Sequence, residues 1–393
     1  MGPLHDIKVL DFTRVLAGPY ATMILGDLGA EIIKIEQQGS GDDSRAYGPY
    51  LKGESAYFMS LNRNKQSLTL NLKTSEGIDI VNKLVEQVDV VVENFRPGTM
   101  EKLGIGYDKL KEINPRLIYA STSGYGQTGP YSHRPAYDAV VQALGGIMSI
   151  TGQPGGQPTR VGSSVGDITA GLFCAIGILT ALHERNQSGE GQMVDVAMLD
   201  CQVAILENAI SRYGVTGEIP RPVGNRHPSI VPFEPFDTQT SPIMVAVGND
   251  HLWKIFCDLI NLDIAEDPRF AVNPKRNENY LALRPIIANR LKEKTSEEWQ
   301  TIFDKAGIPN GPINSVDKVV QNEQVLAREM IVELDHPVAG KMRMPGIPIK
   351  LSRTPGELKD PAPVLGEDTD SLLKKYLKLS DEKIEELRIN RVI

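Results

Sequence analysis

The chain has 393 residues, 41% hydrophobic and 23% charged, which is enough for two domains with ordinary globular cores. Its net charge of −8 excludes a broad basic surface for nucleic acid, so an anionic ligand must be held by a local cluster of cationic side chains and backbone N–H groups. Only three cysteines occur, widely spaced, which argues against a disulfide framework and a thiolate metal site.

The apolar segments predict a protein without a signal peptide or a membrane span. No charged start followed by an apolar run is present, and the longest apolar stretch, Ala170–Leu182, is interrupted by glycines and predicted to be too short to cross a bilayer. We therefore expect a cytoplasmic protein with no membrane partner, no nucleic-acid partner and no metal.

The first half of the chain alternates short β-rich segments with helical patterns. Such alternation predicts βαβ units and a largely parallel, buried sheet in a Rossmann-like α/β core. The predicted strands are Ile7–Phe12, Ala30–Glu36, Ser67–Leu72, Val88–Val92 and Leu117–Ser121, and the helices between them are Gly18–Gly29 and Ser75–Gln87.

A composition change then separates a second, smaller α+β unit. Two consecutive helices are predicted at Ile168–Glu184 and Val194–Tyr213, before a proline-rich stretch that is typical of a linker. The later predicted elements are a strand at Ile243–Val247 and helices at Asp250–Ile260, Tyr280–Lys294, Ser296–Ala306 and Thr369–Leu379. We predict a large Rossmann-like domain at 1–215, a linker at 216–235, a small domain at 236–325, and a linker with a C-terminal return to the large domain at 326–393.

Asp167 stands at the head of the strongest helix signal, directly after Gly166. Position alone favours a helix cap, a role worth ~1 kcal/mol. The other interpretation is a nucleophile, because a carboxylate at the edge of an apolar wall can carry covalent catalysis. Gly166 would then let a bulky substrate approach the backbone. Spacing does not decide between the two.

Two strand-to-helix turns are candidate ligand sites. Asn94 and Arg96 follow a buried strand, and ligands of open α/β sheets bind at the carboxyl ends of strands, although Pro97-Gly98 fits an ordinary turn equally well. Asp11–Ala21 is the second such turn, where an anion can bind at a helix N-terminus. Isolated basic residues are expected to be solvated surface charges in most cases; they are Lys65, Lys73, Lys102 and Arg134.

Several enzyme classes lack their motifs in this chain. No GxGxxG fingerprint follows the first strand, and no Walker A lysine or HExxH pair occurs. His227, in GNRHPSIVPFEPF, is the one histidine in a plausible site loop.

The chain closely resembles the class III CoA-transferases, the family of formyl-CoA transferase, carnitine CoA-transferase and the succinyl-CoA-dependent dicarboxylate transferases. The resemblance runs nearly end to end and includes the Gly166-Asp167 pair. The other matching segments are LDFTRVLAGPYATMILGDLGAEIIKIE, GDDSR, NRNKQSLTLNLKTSEG, VVENFRPG, RPAYDAVVQALGG, GNRHPSIVPFEPF, AGIPNGPINSV and APVLGEDTD.

This resemblance implies a reaction, a ligand and an assembly. Asp167 is then the nucleophile that moves CoA from an acyl-CoA to a small carboxylic acid, through anhydride and aspartyl-CoA thioester intermediates. Neither a metal nor ATP is needed, and two chains form an interlocked homodimer. The residues implied for CoA binding are Leu16, Ala17, Gln37, Leu70, Lys73, Asn94, Phe95, Arg96, Lys102, Arg134 and Tyr137.

At three places the sequence differs from formyl-CoA transferase or from related racemases, and these differences bear on the expected substrates and reaction. Where formyl-CoA transferases carry consecutive glycines, this chain has Arg226 and His227, which argues against oxalate/formate specificity and makes both residues candidate carboxylate partners, as in the dicarboxylate enzymes. Gln37 and Lys102 replace arginines of formyl-CoA transferase, which implies weaker phosphate contacts. Tyr137 replaces the histidine of acyl-CoA racemases, so transfer is favoured. The alternatives are an α-methylacyl-CoA racemase, a non-catalytic CoA-binding protein and, disfavoured by the missing phosphate fingerprint, a nicotinamide oxidoreductase.

Overall fold

The computed structural model describes residues 2–393, which divide into two compact units. The first comprises residues 2–148, Arg160–Gly217 and Glu323–Ile393, and the second comprises Ser149–Thr159 and Glu218–Asn322. The second unit thus takes in most of the proline-rich stretch 216–235, for which composition predicted a linker.

The strands are short, and six of the thirteen within residues 2–393 lie near predicted positions. In chain order they are β1 Lys8–Asp11, β2 Glu31–Glu36, β3 Tyr50–Leu51, β4 Glu54–Ser55, β5 Lys65–Thr69, β6 Val90–Glu93, β7 Ile118–Ser123, β8 Met193–Ala197, β9 Phe233–Phe236, β10 Ile243–Ala246, β11 Asn310–Pro312, β12 Ile331–His336 and β13 Gly340–Pro345.

The helices range from single turns to one of 24 residues. They are α1 Ala17–Asp27, α2 Ala56–Leu61, α3 Ser75–Val85, α4 Thr99–Lys102, α5 Tyr107–Ile113, α6 Asp138–Leu144, α7 Ile147–Ile150, α8 Val165–Ser188, α9 Met198–Ala204, α10 Asn208–Thr216, α11 Asp250–Leu259, α12 Asn273–Glu278, α13 Tyr280–Leu291, α14 Ser296–Ala306, α15 Val316–Val319, α16 Glu323–Ala327, α17 Thr369–Leu377 and α18 Asp381–Ile389, with a 3-10 turn at Asp43–Ala46.

The large unit is built on one six-stranded sheet, and its parallel strands confirm the predicted parallel sheet, of which five strands were predicted. Its order is β5-β2-β1-β6-β7-β8, which in sheet numbering is the doubly wound order 3-2-1-4-5-6. Chain connections run in opposite directions from β1 and β6, so the carboxyl ends of these two strands flank the switch point where such sheets bind ligands.

The edge strand β8 corrects the prediction of one helix over Val194–Tyr213. Met193–Ala197 pairs in parallel with β7, and two separate helices, α9 and α10, follow. Val194 and Val196 stand on either side of Asp195, and β-branched residues fit a pleated ladder better than a helix start.

Helix α8 corrects the expectation that the apolar stretch is too short to cross a bilayer. With 24 residues and a mean hydropathy of 1.9 in its most apolar window, it meets the length and composition of a membrane span. In this fold the helix packs on α1 and the sheet, with Ala170, Cys174 and Ile178 in the core. Buried positions on one side of the helix are what a core helix of an α/β unit requires.

The second unit is α+β, with a three-stranded antiparallel sheet, β11-β10-β9, beside helices α11–α14. Its core holds Trp253, Phe256, Trp299 and Phe303, all nearly fully buried. Helix α14 has the predicted bounds, since Thr295 and Glu298 form a capping box at its start.

Candidate active site

A cavity of about 200 Å³ lies at the carboxyl edge of the parallel sheet, at the switch point between β1 and β6. Asp167 is in its wall, so the strand-end loops and the head of α8 meet at one place. The other lining residues are Arg14–Ala17, Asp43, Asn94–Pro97, Thr122–Gly124, Arg134–Tyr137 and Met198.

Asp167 is not the cap of α8. The N-cap residue is Ser164, and Asp167 is the third residue of the helix, so the capping interpretation that position favoured was wrong. None of the residues 2–393 donates a hydrogen bond to its carboxylate, and the effects on its pKa are burial and a second acid alone. A partly buried carboxylate without hydrogen-bond donors is available for chemistry.

That second acid is Asp138, the first residue of α6. Its Oδ1 accepts a 2.8 Å hydrogen bond from the N–H of Gly166, and its Oδ2 accepts one of 2.8 Å from Nε2 of Gln142. Arg160 Nε lies 3.6 Å from the same Oδ2. The carboxylate next to Asp167 is therefore fixed by three groups.

Burial, followed by the charge of Asp138, raises the pKa of Asp167 to about 7. Both causes disfavour the ionised form, and the second comes from the packing of α6 against the start of α8. A carboxylate of raised pKa is a stronger nucleophile than an ordinary aspartate once it is ionised, and a cleft residue perturbed in this way is a candidate for catalysis.

The glycines of α8 serve helix packing, which differs from the expectation for Gly166. A Cβ on Gly166 would lie 2.8 Å from Val141 Cγ2 and 3.0 Å from Asp138 Oδ1, so protein atoms fill the space that a substrate was expected to use. One turn after Asp167, a Cβ on Gly171 would lie 2.7 Å from the carbonyl oxygen of Ala17. These contacts bring α6 and α1 close to the helix start.

The turn after β1 is fixed residue by residue. The backbone N–H of Arg14 donates to Asn94 Oδ1 at 2.8 Å, and Asn94 Nδ2 donates back to the Arg14 carbonyl at 2.8 Å. The N–H of Val15 donates to Asp42 Oδ1 at 3.0 Å. The Asn94 amide, predicted from resemblance to bind CoA, is thus committed to the turn that lines the cavity.

A second cavity of about 470 Å³ shares Arg14 and Phe95 with the first. It lies beside the ends of β2 and β5. Its lining residues are Phe12–Arg14, Lys34–Gln38, Gly41, Asp42, Leu70–Lys73, Phe95, Thr99 and Leu103.

The structure brings together most of the residues that resemblance assigned to CoA, in two neighbouring groups. The first cavity holds Leu16, Ala17, Asn94, Phe95, Arg96, Arg134 and Tyr137, and the second holds Gln37, Leu70, Lys73 and again Phe95. Lys102 is exposed and lines neither cavity, although the next residue, Leu103, lines the second.

Arg226 and His227 belong to the second unit. The Arg226 guanidinium lies 4.2 Å from the ring centre of Tyr280, and His227 stacks on Phe233 with ring centres 5.2 Å apart. His227 Nδ1 also accepts the N–H of Ser229 at 3.1 Å. Their role as carboxylate partners stays a prediction.

Lys65 is the basic residue whose placement differs most from expectation. Its side chain is 0% exposed and forms a 3.2 Å ion pair with Asp11, which is also 0% exposed. Burial, only partly offset by Asp11, lowers the pKa of Lys65 to about 8. A surface charge was expected, because nothing in the sequence connects Lys65 with Asp11.

Sequence reasoning also missed residues that belong to the site. Asp138 and Arg160 act next to Asp167, and Arg14 pairs with Asp43 at 3.1 Å in the cavity wall. Burial, followed by the charge of Asp167, raises the pKa of Tyr57 to about 12. Asp138 had a signal, since it ends the RPAYD segment that resemblance already singled out.

Residues 2–393 contain no group of three or more His, Cys, Asp or Glu side chains able to hold a metal ion.

A doubly wound sheet with an acid of raised pKa in a cavity at its switch point is typical of α/β enzymes. A family model described as CoA-transferase family III matches residues 4–369. An acetyl-CoA:oxalate CoA-transferase of Acetobacter aceti is 44% identical, covering 95% of this chain and 96% of that protein. A succinyl-CoA:glutarate CoA-transferase of Mus musculus is 40% identical, covering 100% of this chain and 91% of that protein. The solved structure of a CaiB/BaiF family protein from Brucella suis matches with a TM-score of 0.84 and 37% identity, covering 95% of this chain and 99% of that one. The chain belongs to CoA-transferase family III.

Proposed function

We propose that the enzyme transfers CoA from an acyl-CoA, with succinyl-CoA as the first donor to test, to a dicarboxylic acid through covalent catalysis by Asp167. The observation that carries this proposal is the Asp167 carboxylate itself. It lines the cavity at the switch point of the sheet, receives no hydrogen bond from residues 2–393, and has a pKa raised to about 7 by burial and by Asp138.

The first half-reaction loads the enzyme. The Asp167 carboxylate attacks the thioester carbonyl of the donor, the C–S bond breaks, and CoA leaves as a thiolate from a mixed anhydride. The thiolate then attacks the aspartyl carbonyl of the anhydride, which releases the donor acid and leaves an aspartyl-CoA thioester.

The second half-reaction reverses these steps on the acceptor. Its carboxylate attacks the aspartyl thioester and expels the CoA thiolate, forming a new anhydride. The thiolate attacks the acceptor's acyl carbon, which yields the product acyl-CoA and frees Asp167. One thioester is broken and one formed, so the exchange needs no other energy source.

Each attack creates an oxyanion, and the start of α1 offers donors for it. Leu16 is the N-cap of α1, and neither its N–H nor that of Ala17 has an acceptor among residues 2–393. Both residues line the cavity that contains Asp167. Removing one donor of this kind typically costs ~10²–10³ in rate.

The two cavities suit the two ends of an acyl-CoA. The smaller one, with Asp167, takes the thioester, and the larger one takes the adenosine and phosphate end beside Lys73. Exposed cations supply the charge complement at the mouth of the smaller cavity; they are Arg14, Arg96 and Arg134. Local cations of this kind bind phosphate despite the net charge of −8.

The proposed acceptor class is a dicarboxylic acid. The names of the two relatives specify oxalate and glutarate as acceptors. Oxalate therefore stays in the acceptor panel, although the Arg226–His227 segment argued against it.

The test is CoA exchange followed by mass spectrometry. Wild-type enzyme is incubated with succinyl-CoA and, separately, oxalate, glutarate or a monocarboxylate, and the acyl-CoA products are identified. We expect exchange with a dicarboxylate and a CoA adduct on Asp167 when donor alone is added. D167A and D167N should show neither, whereas D43A, which removes an exposed acid from the same cavity, should retain the adduct. Exchange by D167A at the wild-type rate would refute the nucleophile.

Deuterium uptake at the α-carbon of a branched acyl-CoA, without any acceptor acid, would instead support a racemase.

A further inference from the structure

Val15 has an unusual backbone conformation in the wall of the proposed active site. Its φ is 68°, in the left-handed region, where β-branched residues are genuine outliers. Eight non-glycine residues among residues 2–393 have positive φ, and Val15 alone among them is β-branched. Such a conformation persists only where the surrounding structure imposes it, and these outliers cluster at functional sites.

The side chain of Asp42 holds the backbone of Val15 through a hydrogen bond. Asp42 Oδ1 accepts the N–H of Val15 at 3.0 Å and that of Ser44 at 2.8 Å. The same carboxylate therefore fixes the turn before α1 and the segment Asp43–Ala46, which carries another cavity residue, Asp43.

Asp42 is in turn held by Lys34. The Lys34 ammonium lies 2.9 Å from Asp42 Oδ2 and donates to the carbonyl oxygen of Thr13 at 2.7 Å. The side chains of Lys34 and Asp42 are 0% and 1% exposed. Burial opposes ionisation of Asp42, but Lys34 and the N–H donors of Ser44 and Val15 outweigh it and keep its pKa well below the usual range.

The burial of this pair is weak evidence for a purely stabilising role. Buried ion pairs are often no more stabilising than apolar residues of similar volume, because desolvation offsets the attraction. The pair has a local geometric task, since it connects the backbone at Thr13 and Val15 to strand β2. The N–H groups of Leu16 and Ala17 come directly after the strained residue.

We infer that Asp42 and Lys34 are positioning residues that lock Val15 in its left-handed conformation and so aim the Leu16 and Ala17 N–H groups at the reacting carbonyl. The inference rests on the proposed transfer at Asp167. Neither side chain needs to contact the reacting atoms, since the effect passes through the backbone of residues 13–17.

The test is a double-mutant cycle between Asp42 and Val15. D42A should lower kcat about 10- to 100-fold, the range of one strained backbone conformation, with a smaller change in KM for acyl-CoA. In V15G, glycine adopts positive φ without strain, so the same D42A change should cost several-fold less. D42N retains an acceptor oxygen for the Val15 N–H and should lose less activity than D42A.

The buried pair Asp27–Arg63 supplies the matched control. It has side-chain exposures of 4% and 3% and an N–O distance of 2.6 Å, and it lies at the opposite end of α1. D27A removes an equally buried acid and should leave kcat within about 3-fold of wild type at a temperature where all variants are folded, as expected for a site away from the turn.

Amide hydrogen exchange over residues 12–18 measures how rigidly the turn before α1 is held, and it does not require enzyme activity. D42A should exchange faster there and D27A should not. Equal exchange rates over residues 12–18 in D42A and wild type would overturn the inference, even in an enzyme that transfers CoA. So would an equal loss of kcat on introducing D42A into V15G and into the wild-type protein. Absence of exchange by wild type with every acceptor would instead refute the proposed function, while the hydrogen-exchange result still decides the role of Asp42.

Discussion

Replacing Asp167 by asparagine should make the protein more stable at alkaline pH while removing its activity. In the folded protein, burial and Asp138 raise the pKa of Asp167 to about 7, from 3.8 for an unperturbed aspartate. An amide of nearly the same shape carries no charge, so it avoids the cost of an ionised carboxylate in this position.

The sign of the pH dependence follows from proton binding. Between pH 4 and 7 the folded state of wild type binds more protons at Asp167 than the unfolded state, so the contribution of this residue to stability falls as pH rises through that window. The pKa difference corresponds to about 4 kcal/mol, and partial exposure of the side chain lowers the expected gain to about 2–4 kcal/mol at pH 8. At pH 4 the two proteins should have nearly equal stability.

Urea unfolding of wild type and D167N at pH 4.5 and pH 8 measures this effect. The quantity to compare is the change in unfolding free energy caused by D167N at pH 8 minus the change that it causes at pH 4.5. Other buried acids cancel in that comparison; Glu93, for example, has a pKa raised to about 7 mainly by burial in both proteins. D43N, at an exposed acid of the same cavity, should change the free energy of unfolding by less than about 1 kcal/mol at either pH. A D167N protein no more stable than wild type at pH 8 would refute the pKa argument.

Three further outcomes follow from the same geometry. The rate of acyl transfer to Asp167 should rise with pH and level off above about pH 7, because the carboxylate is the attacking form; D138N removes a like charge and should move the midpoint to lower pH in a stopped-flow profile. K73M should raise KM for acyl-CoA by about 5-fold and leave KM for the acceptor acid unchanged in steady-state kinetics, since it removes one exposed cation from the larger cavity. R276M should lower the free energy of unfolding of the second unit by about 3 kcal/mol in calorimetry, because two buried backbone carbonyls lose their donor; an unchanged transition would contradict this.

The sequence predicted the fold where its signals are local. Strands β1 and β2 and helix α14 lie within one residue of their predicted bounds, since their hydrophobic patterns identify them without knowledge of distant contacts. Strand β8 was mistaken for a helix because it is an edge strand whose ladder depends on β7, more than 60 residues earlier. The hairpin β12–β13 was missed because Pro337, Gly340 and Pro345 interrupt its pattern, and its pairing is visible only in the folded chain.

In the candidate site too, local rules identified some residues, and other residues depend on distant contacts. The rule that ligands bind at the carboxyl ends of parallel strands pointed to Asn94, Arg96 and the turn before α1, and all three line the cavity. Lys65 was assigned to the surface because the sequence does not reveal a partner at Asp11, 54 residues away. The effect of Asp138 on Asp167 likewise requires α6 to pack against α8, which no periodicity in the sequence specifies.

Asp167 shows why a local rule fails at this particular residue. An acid in the first turn of a helix normally gains about 0.3–1 kcal/mol from the helix dipole, and position alone favoured a helix cap worth ~1 kcal/mol for this residue. Here burial and Asp138 oppose ionisation by several times that amount, while Gly166 directs its N–H to Asp138 and leaves the Asp167 carboxylate without a donor. An arrangement that destabilises the ionised state of a carboxylate has no value for folding, but it suits a carboxylate that must attack a thioester. The conflict between local preference and observed environment is therefore itself an argument for the proposed nucleophile.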